Sequence, residues 1–254
     1  MILASQYKVI KFVKLCYHKD NIMQGLDVVF YIAVLIMSVV IHEVSHGYAA
    51  LYWGDQTARL AGRLTLNPLK HLDPIGSVIV PILMKLSTGF VFGWAKPVPY
   101  NPYNFRDQKR GTFWVASAGI LANLFIAVIF GIISRFLPIA TEVKINLFKS
   151  VISGQSIINI SSNPIESAYG ICLIIIFLNI LLAVFNLVPI PPLDGSKILF
   201  SLLPLRSRNI QYFLERYSLF ILLFFIFFLW KYLSAVIFYL FSLFTGIQFT
   251  GIGF

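Results

Sequence analysis

Two histidines and a glutamate lie within one five-residue stretch, HEVSH, of an otherwise apolar run. His42 and His46 are four positions apart, and Glu43 directly follows the first histidine. On a helix, residues at i and i+4 project from the same face about one turn apart, so both imidazoles can bind one metal ion. Glu43 lies beside a ligand without competing for the metal, which is the position of a general base acting on a metal-bound water. Because ionisable groups are costly in a membrane-grade segment, the cluster indicates a functional site.

A catalytic zinc site also needs a third protein ligand and an open position for water. The sequence offers several candidates for this ligand: Asp27, Asp55, His71, Asp73, Asp107 and Asp194. Asp194 is favoured because the prolines between positions 189 and 192 unwind the end of an apolar span just before it, which puts a carboxylate at membrane depth. His71 and Asp73 are the second choice, although they fit equally well as a loop pair capping a helix that starts near Pro74.

The composition indicates a polytopic membrane protein. Of 254 residues, 58% are hydrophobic and 12% are charged, and the mean hydropathy is +0.83, whereas about a quarter of the residues in soluble domains are charged. The 20 Lys+Arg exceed the 10 Asp+Glu, but most basic residues lie between apolar runs, where the positive-inside rule accounts for them. We therefore expect no nucleic-acid partner.

Cys16 and Cys172 form no CxxC pair, which argues against a disulfide framework and a cysteine metal site.

The apolar runs predict an all-α fold with about four to six transmembrane helices. Clear spans are expected over residues 26–52, 112–137, 169–188 and 217–244. Residues 75–102 combine an interrupted apolar run with the proline-rich GWAKPVPYNP, so they predict a weak span or re-entrant hairpin followed by an extended segment near the active site. The metal cluster lies in the final turns of the first span, near one membrane surface.

The termini and loops suggest how the chain is organised. Residues 1–25 form a basic segment that fits an interfacial amphipathic helix or a mobile tail, without the pattern of a cleaved signal peptide. Residues 26–254 are expected to form a single integral-membrane domain. The charge-balanced connection 138–167 is expected outside, and it is too short for a PDZ-like domain of ordinary size. We also expect no terminal regulatory domain.

The basic loops predict the orientation in the membrane. The loops at 53–74, 103–111 and 196–216 are expected to be cytoplasmic under the positive-inside rule. This topology requires residues 75–102 to re-enter rather than cross, and it leaves the basic N-terminus outside, against the rule. If residues 75–102 cross instead, the number of spans changes.

Several motifs together resemble the site-2 protease family of intramembrane zinc metalloproteases. They are HEVSH in the first span, AGILAN at 118–123 and NLVPIPPLDG at 186–195. NPLKHLDPIG and GWAKPVPYNP are similar to segments of the compact prokaryotic members, and the resemblance covers most of residues 30–205. Two positions depart from the family pattern, since Ile120 stands where proline is frequent and Lys197 where arginine is commoner. We expect the lysine to matter little.

The resemblance implies a role for each of six residues. It implies that one zinc ion is bound by His42, His46 and Asp194. It further implies that Glu43 is the catalytic acid/base and that Asn123 and Asn186 help to position the substrate or the reacting carbonyl.

The expected function is zinc-assisted hydrolysis of peptide bonds in or near transmembrane segments of membrane-protein substrates. The site would lie in the lipid bilayer near the cytoplasmic face of a prokaryotic cell membrane, and the extended segment could pair with a locally unwound substrate by strand addition. Two alternatives remain open. A zinc transporter would need polar groups distributed through several spans, and a non-catalytic relative that binds membrane proteins is disfavoured by the intact Glu43.

Overall fold

The computed structural model describes residues 25–80, 83, 95–153, 163–204 and 208–247. Across these residues all regular structure is helical, so the expected all-α class is confirmed. The α-helices in this part of the chain are α1 (Gly25–Tyr52), α2 (Thr57–Leu60), α3 (Gln108–Phe136), α4 (Thr141–Ser153), α5 (Pro164–Asn186), α6 (Asp194–Leu202), α7 (Arg208–Arg216) and α8 (Ser218–Thr245).

Three of these helices are long and apolar enough to cross a membrane. The spans are Phe30–Tyr52 of α1, Gln108–Phe136 and Pro164–Asn186. The last predicted span corresponds to α8, which bends by 66° between Ser218–Ile226 and Lys231–Thr245 and adds a fourth span if its two arms count as one. The polytopic expectation is confirmed, since the described residues contain three candidate spans, or four if the bent pair counts as one.

Short helical turns occupy the polar connections. α2 and a 3₁₀ turn at Pro68–Lys70 lie between α1 and the expected re-entrant segment, and a π-helical segment at Pro74–Ile79 lies at the start of that segment. A further 3₁₀ turn at Pro102–Asn104 precedes α3. The expectations for residues 1–24 and for most of the re-entrant hairpin, at 81–82 and 84–94, lie outside the described residues.

The connection at 138–167 contains a helix that the sequence analysis did not predict, α4. The charged residues of this stretch, including Lys144 and Lys149, indicate a loop when only the sequence is considered. Leu147, Phe148 and Val151 are nevertheless buried, and their spacing brings them to one side of a helix. α4 is therefore amphipathic and contributes apolar side chains to a core.

The chain divides into two compact units. One comprises residues 36–124 and 181–233, and the other combines the described residues of 1–35, 125–180 and 234–254. The first unit has a cluster formed by Ala50, Phe105 and Val115 and another formed by Val188, Ile190 and Leu193. In the second unit, Phe241 contacts Phe148 and Phe177. The HEVSH cluster lies in the first unit.

Candidate metal centre

Helix α1 presents His42 and His46 on one face, as the spacing predicts. Their rings lie edge to face with centroids 4.6 Å apart, and both residues are buried. Nδ1 of His46 lies 2.6 Å from the carbonyl oxygen of Val115 on α3. A proton on Nδ1 makes this contact a hydrogen bond, and Nε2 is then the free ligand atom.

Asp194 reaches the two histidines from the first position of α6. Its Oδ2 lies 3.0 Å from Nε2 of His42 and 3.0 Å from Nε2 of His46. Gly195 permits this approach, because a Cβ there would lie 2.2 Å from the carbonyl oxygen of Leu187. The proline-rich turn thus delivers a buried carboxylate to the histidine pair.

The three side chains fit a zinc ion in donor type and in spacing. Ligand atoms of His42, His46 and Asp194 all lie within 4.8 Å of one another. Donor atoms of a tetrahedral zinc site with bonds of about 2.0–2.1 Å are about 3.3 Å apart, close to the 3.0 Å from the carboxylate oxygen to each imidazole nitrogen. Two imidazoles and one carboxylate also leave a fourth position for water, as in catalytic zinc sites.

Glu43 faces the extended segment around Val98. The backbone N–H of Val98 donates to Oε2 of Glu43 over 2.8 Å, and Glu43 is half-buried. The expected extended segment therefore lies beside the candidate base, although the described residues 95–101 form no β-ladder. With one carboxylate oxygen held, the orientation of the other is restricted.

Asn123 lies behind His42. It is fully buried, with its side-chain nitrogen 3.2 Å from Nδ1 of His42 and its Oδ1 without a hydrogen-bond partner. If Nε2 of His42 binds a metal, Nδ1 carries the ring proton and needs an acceptor. Rotating the amide by half a turn, which exchanges its oxygen and nitrogen, turns Oδ1 toward this N–H and satisfies both groups.

Three polar residues of the loop after α1 fasten the two ends of the extended segment. At one end, Nη2 of Arg63 donates to the carbonyl oxygen of Lys96 over 2.8 Å, and the Lys96 N–H donates to the carbonyl oxygen of His71 over 2.9 Å. At the other end, the N–H of Asn101 donates to Oδ2 of Asp55 over 2.7 Å. The segment is therefore held on both sides of Val98.

Asp55 binds the end of the extended segment at Asn101 and also accepts other hydrogen bonds. Its Oδ1 accepts hydrogen bonds from Thr57 and from the Asn104 side chain, and Asp55 itself is fully buried. Burial alone would raise the pKa of Asp55, but the hydrogen bonds from Thr57, Asn104 and the Asn101 N–H outweigh it and hold the pKa below its usual range. Sequence reasoning gave Asp55 only as a possible ligand and missed Arg63, because charges in a polar loop ordinarily face water.

Three other candidate ligands, His71, Asp73 and Asp107, have partners away from the histidine pair, and the side chain of Asp27 lies outside the described part of the structure. His71 is buried, with Nε2 2.8 Å from the Thr65 carbonyl oxygen. Asp73 accepts from the Gly76 N–H, consistent with the capping interpretation, and Asp107 accepts from the Arg110 N–H. The choice of Asp194 over His71 is thus supported by geometry.

Asn186 is the one predicted site residue that no contact connects to the centre. Its amide donates to the carbonyl oxygen of Leu182, one turn earlier on α5, over 2.9 Å. A side chain bonded to its own helix has satisfied a donor locally. The expected role of Asn186 at the substrate carbonyl stays a prediction.

The amino-acid sequence matches a known protein family. Residues 30–229 match the sequence profile of Peptidase family M50. A Bacillus subtilis protein named "Putative zinc metalloprotease YwhC" is 36% identical over 175 residues, which is 69% of this chain and 69% of that protein. No solved structure matches the chain.

More distant matches come from mycobacteria. A Mycolicibacterium smegmatis protein named "Putative zinc metalloprotease Rip2" is 30% identical over 165 residues, covering 65% of this chain and 53% of that protein. A Mycobacterium tuberculosis protein of the same name is 28% identical over 169 residues, covering 66% of this chain and 54% of that protein. The chain thus matches about half the length of these two relatives.

Proposed function

Because this chain belongs to Peptidase family M50, we propose that it is an intramembrane zinc metalloprotease that hydrolyses peptide bonds in or near transmembrane segments of membrane proteins. The observation that carries the proposal is the convergence of His42, His46 and Asp194 beside Glu43. The family match confirms the resemblance to the site-2 proteases and gives no support to zinc transport.

The ligands and the base have separate tasks in the proposed reaction. His42, His46 and Asp194 would hold the zinc ion, which would supply Lewis-acid chemistry that acidifies a water molecule and polarises the scissile carbonyl. Glu43 would take a proton from the attacking water and deliver it to the leaving amine. The Val98 N–H holds Oε2 of Glu43, so Oε1 is the oxygen that exchanges the proton.

Asn123 supports the proposed reaction through His42. With its amide oxygen toward Nδ1, it fixes the ring tautomer that leaves Nε2 as a ligand. A substrate-binding role for Asn123 stays a prediction, and its complete burial favours the role at His42.

The extended segment is the proposed contact for an unwound substrate. Between Lys96 and Asn101, two residues are prolines without an N–H, and the N–H groups of Lys96, Val98 and Asn101 are already bonded within the protein. Tyr100 keeps the one N–H of this stretch that has no partner in the described part of the chain. Strand addition by a substrate would therefore use this N–H together with carbonyl oxygens of the segment.

The proposed setting is a prokaryotic cell membrane, with the centre near the cytoplasmic face. The support for this orientation is the excess of basic residues in the loops that flank the catalytic part, including Arg59, Lys70, Lys109 and Arg110.

Cleavage of a model transmembrane substrate in proteoliposomes tests the proposed function. We expect wild type to cut within or next to the span, as located by mass spectrometry, and Glu43→Gln to retain zinc but lose at least about 10²-fold in rate. Asp194→Ala should lose both zinc and activity.

Asp107→Ala is the matched control, because this acid lies in an exposed pair with Arg110 and should be dispensable. The proposal fails if Glu43→Gln cleaves at the wild-type rate. It also fails if wild type cuts only soluble peptides and leaves the membrane-embedded bond intact.

A further inference from the structure

The carboxylate of Asp194 has a second partner on its far side, Lys197. Nζ of Lys197 donates to Oδ1 of Asp194 over 2.9 Å, one helical turn away on α6. The other oxygen, Oδ2, faces His42 and His46. The two oxygens are thus divided, one toward the candidate metal position and one toward the ammonium group.

Lys197 also contacts the extended segment. Its Nζ lies 5.6 Å from the centroid of the Tyr100 ring, within cation–π range. Tyr100 in turn stacks on Phe105 with centroids 6.0 Å apart, and Phe105 belongs to the buried cluster with Ala50 and Val115. The position of the ammonium group is therefore set by α6 on one side and by a well-packed ring on the other.

We propose that Lys197 is a positioning residue of the metal centre, which restricts Asp194 to one ligating oxygen and joins this ligand to the extended segment through Tyr100. The inference rests on the proposed zinc site. A carboxylate with both oxygens free can bind a metal through both, and the second oxygen would occupy a position that water or the substrate carbonyl needs. The charge-assisted bond to Oδ1 prevents this and keeps the site open.

This role requires a cation at position 197, and it agrees with the expectation that a lysine in place of arginine has little effect. Lys197 is half-buried and contacts a candidate ligand directly. An arginine could form the same bond, so the requirement is for a cation of sufficient length at this position. A neutral side chain of similar length would leave Oδ1 without its donor.

Cobalt substitution tests the inference by spectroscopy as well as by rate. Four-coordinate Co²⁺ absorbs visible light more strongly than five- or six-coordinate Co²⁺, so the spectrum reports whether Asp194 binds through one oxygen or two. We expect Lys197→Met to weaken the cobalt absorption. The variant should also lower zinc affinity or kcat by roughly 10–100-fold, whereas its KM should change much less. Lys197→Arg should restore both the spectrum and kcat.

Lys109→Met is the matched control, because within the described residues Nζ of Lys109 contacts only the Leu203 carbonyl oxygen, at 3.5 Å, and its side chain is exposed. A wild-type cobalt spectrum in Lys197→Met, or an equal change in Lys109→Met, overturns the inference. If Lys197→Met does not give monodisperse protein, Lys197→Leu, which likewise carries no hydrogen-bond donor, replaces it, and identical cobalt spectra for Lys197→Leu and Lys197→Arg overturn the inference.

The same experiment distinguishes this inference from the underlying function. Wild-type protein that takes up no stoichiometric zinc or cobalt contradicts the proposed metalloprotease itself. Wild-type protein that binds the metal and cleaves, while Lys197→Met behaves identically, contradicts only the role of Lys197.

Discussion

At the scale of single residues, the candidate centre consists of ligands and of groups that orient them. His46 is oriented by the Val115 carbonyl, His42 by Asn123 and Asp194 by Lys197. Each ligand thus has its own supporting contact, two of them on α3 and the third on α6. Such contacts fix which atom of each side chain faces the metal.

Removing the amide of Asn123 should weaken the site without removing a ligand. We expect Asn123→Ala to lower zinc affinity by roughly 10–100-fold, because Nδ1 of His42 loses its acceptor in a buried setting. Competition with a zinc chelator measures this loss. Ser117→Ala on the same helix is the control, since its hydroxyl donates to the carbonyl of Phe113. Equal zinc affinities for wild type and Asn123→Ala would contradict the role of Asn123 in orienting His42.

Gly119 provides the space that the ligands need. A Cβ at this position would lie 2.6 Å from Nε2 of His46 and 2.7 Å from Nε2 of His42, closer than real contacts permit. We therefore expect Gly119→Ala to displace the imidazoles and reduce zinc binding at least about tenfold, measured by metal content after dialysis. Leu121→Ala, at an exposed position of α3, should retain its zinc. A fully loaded Gly119→Ala protein would show that the rings can move aside.

At the scale of elements, the extended segment is positioned mainly by side chains rather than by a sheet. The side chains of Arg63 and Asp55 and the backbone carbonyl of His71 bind its ends, and the Glu43 side chain binds the middle through Val98. This arrangement makes the loop after α1 part of the active-site scaffold. Its buried polar groups are consequently expected to affect catalysis without contacting the substrate.

Replacing Asp55 by asparagine tests this scaffold. The new amide places a donor among groups that already donate, so we expect Asp55→Asn to lower the free energy of unfolding by about 1–3 kcal/mol at neutral pH and to reduce cleavage. The folded-state pKa of Asp55 is lowered. Its stabilising contribution is therefore complete above the ordinary aspartate pKa of about 3.9 and is lost as the pH falls through the lower folded value.

Thermal unfolding at several pH values measures this effect. The difference between wild type and Asp55→Asn should be largest at neutral pH and should narrow below about pH 3.9. Asp107→Asn, which changes an exposed acid, should have little effect at any of these values. A difference independent of pH down to full protonation would contradict the linkage.

Local periodicity determined how much of this arrangement the sequence could predict. The i, i+4 spacing of His42 and His46 specifies a common face on any helix, and the spans followed from apolar length. The choice of Asp194 depended on prolines that end a span, which is also local information. The Asp194–Lys197 contact is also local, because the two residues are three positions apart on α6. The contacts of Asn123 with His42 and of Lys197 with Tyr100 depend instead on how α3, α6 and the extended segment are rotated and packed against α1, and no sequence spacing records that.

At the scale of the whole molecule, the metal would connect segments far apart in sequence. His42 and Asp194 are separated by 152 positions, and a ligand that binds only the folded state stabilises it by about 4 kcal/mol at 1,000 times its Kd. Zinc removal by a chelator should therefore lower the unfolding temperature of wild type. It should not do so for His46→Ala, and re-addition of zinc should restore the wild-type value. Identical shifts in both proteins would indicate an effect unrelated to this site.

The proposed orientation in the membrane rests on the distribution of charge and can be measured directly. The loop containing Leu66 is proposed to be cytoplasmic, and the charge-balanced connection that contains Glu142 is proposed to lie on the opposite side. Both side chains are exposed, so Leu66→Cys and Glu142→Cys can each be introduced into a chain that lacks Cys16 and Cys172. In intact cells a membrane-impermeant maleimide should label only the Glu142→Cys variant, and in inverted vesicles only the Leu66→Cys variant. The reverse pattern would place the candidate centre near the outer face and contradict the proposed orientation.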